Sequence, residues 1–206
     1  HPGRDCCMKN TRWWLIRHAP VPNPGKVIYG RSDPAADTGE SDALATLAAR
    51  LPPQAVWVTS HLRRTRQTAA ALRLPGSDMA LVERALAEQD FGRWEGLSHD
   101  AVADLHPEEA RRFWSDPATE APPDGESFAA VMERVAGAVA RLTDLYAGRD
   151  IVAVIHGGSI RAALALALDL TPRAALRLAV APLSLSRIDH YSGDGTDGSW
   201  SVAALN

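Results

Sequence analysis

WWLIRHA (residues 13–19) and, far along the chain, IVAVIHGG (residues 151–158) are the stretches on which the fold turns. Each is an apolar run that stops at a histidine. The second is apolar throughout, the pattern of a strand buried on both faces of a mostly parallel sheet rather than of one alternating between core and water. A third run, Ala55–Thr59, breaks into SHLRRTRQT, residues 60–68. Cationic side chains therefore follow three candidate strands, and open α/β sheets take their ligands beyond the carboxyl ends of the strands. The fold class that follows is α/β, a three-layer α/β/α sandwich with a mostly parallel central sheet.

Working outward, Trp13–Ile16 reads as a strand and Pro20–Asp37 as a loop rich in proline and glycine. Ser41–Leu51 is predicted helical and ended by Pro52 and Pro53. Ser60 is the predicted cap of a helix running to about Leu72, and a short strand at Leu81–Arg84 leads toward Glu88. Two short helices divided by Pro107 are expected between His99 and Asp116, then a loop at Pro117–Gly125 read as a lid. Phe128, Val131, Met132, Val135, Val139, Leu142 and Tyr146 recur at the spacing of one helical face. Ser159–Leu168 and Pro172–Leu178 read as helices, Leu183–Tyr191 and Trp200–Ala203 as closing strands. No internal repeat or interdomain linker interrupts them.

If the strand ends share one edge, two arginines and two imidazoles surround a single anion. Arg17 and Arg64 would clamp the oxygens of a dianionic phosphoryl group in fork geometry. A neutral imidazole is a competent nucleophile near pH 7, and a second one can donate to developing oxyanion charge.

The chain of 206 residues, 46% apolar, with a formal net charge of -3, fits one enzyme domain. That charge gives no reason to expect nucleic acid or an anionic membrane surface as a partner. Cys6 and Cys7 are adjacent and cannot staple distant segments, which suits a reducing compartment and a cytoplasmic location. No apolar run approaches the roughly 20 residues that span a bilayer. Residues 1–12 read as a disordered or tag-derived N-terminus, with Met8 as the native start and His1–Cys7 left by expression. Residues 13–206 read as a single domain.

Five ordered motifs carry a resemblance: the Arg17–His18 pair; GRSD at Gly30–Asp33; the pattern Ser60, Leu62, Arg64, Gln67, Thr68; EQDFGRWEG at Glu88–Gly96; and HGG at His156. Together they resemble the histidine phosphatase superfamily, also called phosphoglycerate mutase-like proteins, from Trp13 to about Leu185. The resemblance implies that His18 attacks phosphorus, forms a phosphohistidine and yields the phosphoryl group to water. It implies that Glu88 protonates the leaving alkoxide and then takes a proton from water. Arg17, Arg64 and His156 match the phosphate pocket, and the Gly157 amide adds a donor at the start of a helix. The scheme needs no metal and no cofactor. The segments RHAPV (residues 17–21) and YGRSD (residues 29–33) resemble bacterial members of the branch containing α-ribazole phosphatase, which acts in cobalamin synthesis. The expected partner is a small phosphorylated metabolite, here α-ribazole 5'-phosphate. Many members read RHGE at the first motif and carry an asparagine where this chain has Pro24; Ala19 and Pro20 also depart, and Asn23 is one place off. The rival functions are phosphoglycerate mutase-type transfer and a non-catalytic phospho-ligand binding protein.

Each candidate also has a plainer role. His156 alone reads as a structural histidine before a glycine turn, and Arg63, Arg64 and Arg66 as solvated helix charges. Glu83, Asp90 and Glu95 compete with Glu88 for the part of acid. Trp94 and Trp114 either line a pocket or pack, packing being preferred. His99 and His106 lack a third ligand for a metal.

Overall fold

The computed structural model describes residues 8–73, 79–193 and 196–205. A mixed sheet of six strands runs through it, with strand order β3-β2-β4-β1-β5-β6. The strands are β1 (Lys9–Arg17), β2 (Val56–Thr59), β3 (Leu81–Val82), β4 (Asp150–Ile155), β5 (Leu185–Gly193) and β6 (Thr196–Ala204). β3, β2, β4 and β1 are parallel; β5 runs antiparallel to β1 and β6 antiparallel to β5.

Helices cover both faces, which is why β4 is apolar at every position after Asp150. Ile151, Ala153 and Ile155 point to the face carrying α5 (Phe128–Leu145) and α6 (Gly157–Leu168), where they join Trp13, Leu15, Val131, Val135 and Ile160. Val152 and Val154 point the other way, into a cluster with Ile16 and Trp57 from the sheet, Leu44 and Leu47 from α1 (Ser41–Ala48), and Ala69 and Leu72 from α2 (Arg63–Leu72). The predicted stripe on α5 is the buried one: Phe128, Val131, Val135, Val139 and Leu142 are all in the core. Each such side chain contributes roughly 1.5–3 kcal/mol. A third cluster, Ile28, Trp94, Val102, Ala110 and Phe113, joins a loop to α3 (His99–Leu105) and α4 (Pro107–Ser115).

The sequence boundaries need correction at several places. β1 begins at Lys9, not Trp13, because β5 is long enough to pair with Lys9 through Arg12, and buried Thr11 accepts from the Gly148 amide at 2.9 Å. Residues 9–12 are thus strand rather than a disordered extension. His1–Cys7, including both cysteines, lie outside the described residues. α1 stops at Ala48 and unwinds through i−3 bonds from Arg50 and Leu51, since the residue before a proline disfavours the helical region. β3 keeps only Leu81 and Val82, and a 3-10 turn, Arg84–Leu86, follows it, capped by the Glu83 carboxylate. α7 is short, Pro172–Ala175. Ser60 is not the helix cap: α2 starts at Arg63, and the serine hydroxyl is used elsewhere. Among the described residues no helix is long and apolar enough to cross a membrane.

Candidate active site

β1, β2 and β4 end at the same edge of the sheet, and their exits deliver Arg17 with His18, Ser60 ahead of Arg64, and His156 with Gly157. The structure therefore brings together the residues that the sequence placed at separate strand ends. The His18 and His156 rings lie 5.2 Å apart between centroids, edge to face. Both are buried.

A hydrogen bond fixes the proton on the first of these rings. His18 Nδ1 lies 2.7 Å from the Ala19 carbonyl, which can only accept, so Nδ1 carries the hydrogen and Nε2 the lone pair. The loop is held by the Ala19 amide, which donates to Thr68 Oγ1 at 2.9 Å. Burial lowers the His18 pKa to about 4; the Ala19 bond opposes this, and the Arg64 and Arg17 guanidiniums reinforce it. The ring is neutral at pH 7. His156 is also held neutral, by burial first and then by Arg64 and His18. Its Nε2 lies 2.7 Å from Ser60 Oγ. The Thr65 hydroxyl donates to the Leu62 carbonyl at 2.8 Å, and Ser60 Oγ accepts from the Leu62 amide at 3.2 Å. His156 Nε2 is then the shortest acceptor for the Ser60 proton, an assignment that leaves Nδ1–H as a buried donor with no partner among the described residues.

The arginines are anchored by backbone carbonyls. Arg64, fully buried, donates from Nη1 to Ser32 at 2.8 Å and from Nη2 to Gly30 at 2.6 Å, and lies 5.0 Å from the Tyr29 ring centre. Its Nε is buried and has no partner among the described residues. Arg17 donates from Nη1 to the Val180 carbonyl at 2.6 Å and likewise keeps a buried Nε with no partner among the described residues. The fork expected of each guanidinium is thus partly occupied, and the Nε edge is what remains. Arg63 and Arg66 are exposed, so the solvated-charge reading holds for them and not for Arg64. The GRSD turn that carries these carbonyls hangs on Glu95, which accepts from the Arg31 amide at 2.7 Å, the Ser32 amide at 2.8 Å and the Ser32 hydroxyl at 2.6 Å.

Glu88 faces the start of α6. A Cβ on Gly158 would overlap Glu88 Oε1, so only glycine lets the carboxyl come this close; a Cβ on Gly157 would lie 3.6 Å from Arg17 Nε. The competing acids are engaged elsewhere: Glu95 with the GRSD turn, Asp90 with the Gly92 amide at 2.8 Å, and Glu83 with its own turn and Arg141. Asn23 closes its own turn through Val27.

A cavity of about 440 Å³ opens on this edge, bounded by Arg17, Glu88 and Gly158 and by Tyr29, Phe91, His99, Phe113, Trp114, Arg161 and Leu176 among others. Trp94 packs, fully buried against Phe113, whereas Trp114 is 51% exposed and lines the cavity, against the preference for packing. His99 opens α3 and His106 is the residue just past its end. The 117–125 loop contributes Pro117 but is fastened by bonds from Arg93 to Pro123 at 3.0 Å and from Ala129 to Ala118 at 2.9 Å, unlike a free flap. Sequence reasoning missed Ser60 as the partner of His156, and Arg161, whose only sequence signal was a cation one turn past HGG.

The model of the histidine phosphatase superfamily (branch 1) matches residues 13–203. The chain belongs to that superfamily. It is 35% identical over 201 residues to a bifunctional protein of Mycobacterium tuberculosis, covering 95% of this chain and 54% of that protein. It thus spans about half the length of that relative. It is also 35% identical over 175 residues to a glucosyl-3-phosphoglycerate phosphatase of Mycolicibacterium vanbaalenii, covering 79% of this chain and 76% of the relative. Among solved structures, the alpha-ribazole phosphatase of Shigella flexneri shares the fold with a TM-score of 0.80 at 24% identity, covering 95% and 96% of the two chains.

Proposed function

We propose that the chain is a phosphomonoesterase that removes phosphate from a small organic ester through a phosphohistidine on His18. The observation that carries this reading is a set of three buried nitrogens with no hydrogen-bond partner among the described residues, Arg17 Nε, Arg64 Nε and His156 Nδ1, near the neutral His18 ring. Buried donors are almost always paired. A phosphoryl group supplies three acceptor oxygens, and negative charge to two arginines that form no ion pair among the described residues.

In the first step His18 Nε2 bonds to phosphorus, the ester P–O bond breaks, and the Glu88 proton goes to the leaving alkoxide. In the second, water attacks phosphorus, Glu88 takes its proton, and the P–N bond breaks to free His18 and inorganic phosphate. Arg17, Arg64, His156 and the Gly157 amide hold the equatorial oxygens. No metal or cofactor enters either step, and the action is assigned to the cytoplasm on a small metabolite, with neither nucleic acid nor membrane as partner. The alcohol portion lies in the aromatic cavity, which is where substrates are told apart. α-Ribazole 5'-phosphate and glucosyl-3-phosphoglycerate, each taken from a relative's name, head the substrate screen.

Turnover of p-nitrophenyl phosphate by the wild type, abolished in a folded His18→Ala variant, is the expected result. Undiminished turnover in that variant defeats the reading. For the mutase alternative, 3-phosphoglycerate with and without a bisphosphate primer decides: isomer formation outrunning phosphate release would favour transfer over hydrolysis.

A further inference from the structure

Of the pattern Ser60, Leu62, Arg64, Gln67, Thr68, the phosphoryl chemistry uses the side chains of Ser60 and Arg64 and leaves Gln67 and Thr68 without a role. Both lie about one turn past Arg64 on α2. Thr68 is fully buried, and its hydroxyl touches two parts of the pocket. It donates to the Arg64 carbonyl at 2.8 Å and accepts from the Ala19 amide at 2.9 Å. The direction of each bond is fixed, because a carbonyl only accepts and an amide only donates. A helical threonine that bonds the carbonyl one turn back is ordinary. What is particular here is its lone pair, which takes up the amide of a wholly buried loop residue 49 positions away.

Ala19 is also the residue whose carbonyl accepts from His18 Nδ1 at 2.7 Å. Its amide and its carbonyl are thus both engaged, the first by Thr68 and the second by the nucleophile's own ring. Gln67 braces the stretch beyond, its Oε1 accepting from the Ala36 amide at 3.0 Å, while the neighbouring Asp37 amide donates to the Pro20 carbonyl at 2.7 Å. The loop that carries His18 is therefore seated on the helix that carries Arg64, with the Thr68 hydroxyl as a direct link between them. That spacing matters because His18 Nε2 has to meet a phosphorus atom whose oxygens Arg64 holds. Resting on the phosphatase reading, we propose that Thr68 is a positioning residue for the nucleophile. Its hydroxyl fixes Ala19, and through the Ala19 carbonyl it fixes the tautomer and the aim of the His18 ring relative to the Arg64 clamp. Without that hydroxyl the buried Ala19 amide loses its acceptor, and the loop must shift to satisfy it.

Two variants separate the hydroxyl from the rest of the side chain: Thr68→Val keeps the shape and removes the hydroxyl, and Thr68→Ser keeps the hydroxyl and removes the methyl group. With p-nitrophenyl phosphate, Thr68→Val should lower kcat at least about tenfold, since misplacement by about 1 Å can cost on the order of 10²-fold. The inhibition constant of inorganic phosphate, which the guanidiniums hold, should stay within about twofold, and Thr68→Ser should recover kcat to within about threefold of the wild type. Nitrogen NMR of the imidazole rings supplies a readout that lost stability alone would not move. The wild type should show the His18 hydrogen on Nδ1, Thr68→Val a mixture of tautomers, and Thr68→Ser the wild-type pattern. Near-wild-type kcat in folded Thr68→Val overturns the proposal, as does an equal loss of kcat and phosphate affinity, an unaltered His18 tautomer, or a Thr68→Ser enzyme as slow as Thr68→Val. If Thr68→Val does not fold, Thr68→Ser decides alone: near-wild-type kcat with the His18 hydrogen kept on Nδ1 supports the proposal, and a fall of about tenfold overturns it. Failure of the phosphatase reading itself would show separately, as absent or His18-independent turnover of p-nitrophenyl phosphate, and the tautomer is read without any turnover.

Discussion

Arg134 on α5 holds the backbone of Glu88, with Nη2 donating to the Glu88 carbonyl at 3.1 Å. Its other N–H groups are engaged as well: Nη1 to the Ala85 and Ala87 carbonyls at 2.6 and 2.9 Å, and Nε and Nη2 to the Glu126 carboxylate at 3.0 and 2.6 Å. All the donors of a guanidinium are thereby directed at the segment from Ala85 to Glu88 and at the acid that braces it. Glu126 also accepts from the Asp90 amide at 3.0 Å, and Arg31 reaches both Glu126 and the Glu88 carbonyl. The charge of Arg134 keeps Glu126 ionised against the opposing effect of its burial.

Arg134→Lys retains the charge but cannot reproduce this fan of bonds. It should cost about 1–3 kcal/mol of stability and lower kcat for alkyl phosphates more than for aryl phosphates, because a displaced Glu88 protonates poorly. A thermal melt and a leaving-group series check this; a uniform loss across leaving groups would make the role of Arg134 purely structural.

Glu88→Gln removes the proton donor while keeping the shape. Alkyl phosphates should lose on the order of 10²–10⁴-fold in kcat, and p-nitrophenyl phosphate much less, since its leaving group needs little protonation. Equal losses for both classes would reassign the acid.

Gly158→Ala places a methyl group where Glu88 Oε1 now lies. The side chain of Glu88 must swing away, and misplacement by about 1 Å can cost on the order of 10²-fold. The expected result is a large fall in kcat for alkyl esters with the melting temperature little changed; full activity would mean that the close approach has no catalytic consequence.

The sequence patterns show the three strand exits because a run of apolar residues ending in a histidine is visible without any knowledge of pairing. They do not show β1 starting at Lys9 or β5 and β6 running through polar residues, because those segments are held by cross-strand bonds rather than by an apolar pattern. Arg64 stands out from Arg63 and Arg66 only through the motif; its burial under the Gly30 and Ser32 carbonyls depends on a turn more than 30 residues earlier. Ser60 read as a helix cap for the same kind of reason. Its partner, His156, is 96 residues away, and a serine before a helix carries the same local signal in either role. Arg134, Arg161 and Glu126 were silent because what they do is set by packing across the sheet edge.

Ser60→Ala removes the proton that fixes the His156 tautomer. The Nδ1 donor should then be present in only part of the population, lowering kcat by about tenfold, or roughly 1.4 kcal/mol, with KM less affected. Unchanged kcat would show that the tautomer is set elsewhere.

The pH dependence has a definite sign. His18 must be unprotonated to attack, and its folded pKa of about 4 lies below the ordinary 6.5. Its ring should stay neutral, and competent, down through pH 5, where an unperturbed imidazole would be mostly charged. The same shift makes the folded state lose stability as pH falls from about 6.5 toward 4, since the unfolded chain binds the proton first. An NMR titration of the His18 ring reads it directly, and a midpoint near 6.5 would refute the burial argument.

The covalent role of His18 is tested most directly by rapid acid-free quenching during turnover, followed by peptide mass spectrometry. The prediction is a phosphoryl adduct that is labile to acid and maps to His18 Nε2, absent in His18→Ala. Steady hydrolysis with no adduct on His18 in burst-resolved samples, or with the adduct on another residue, would contradict the account.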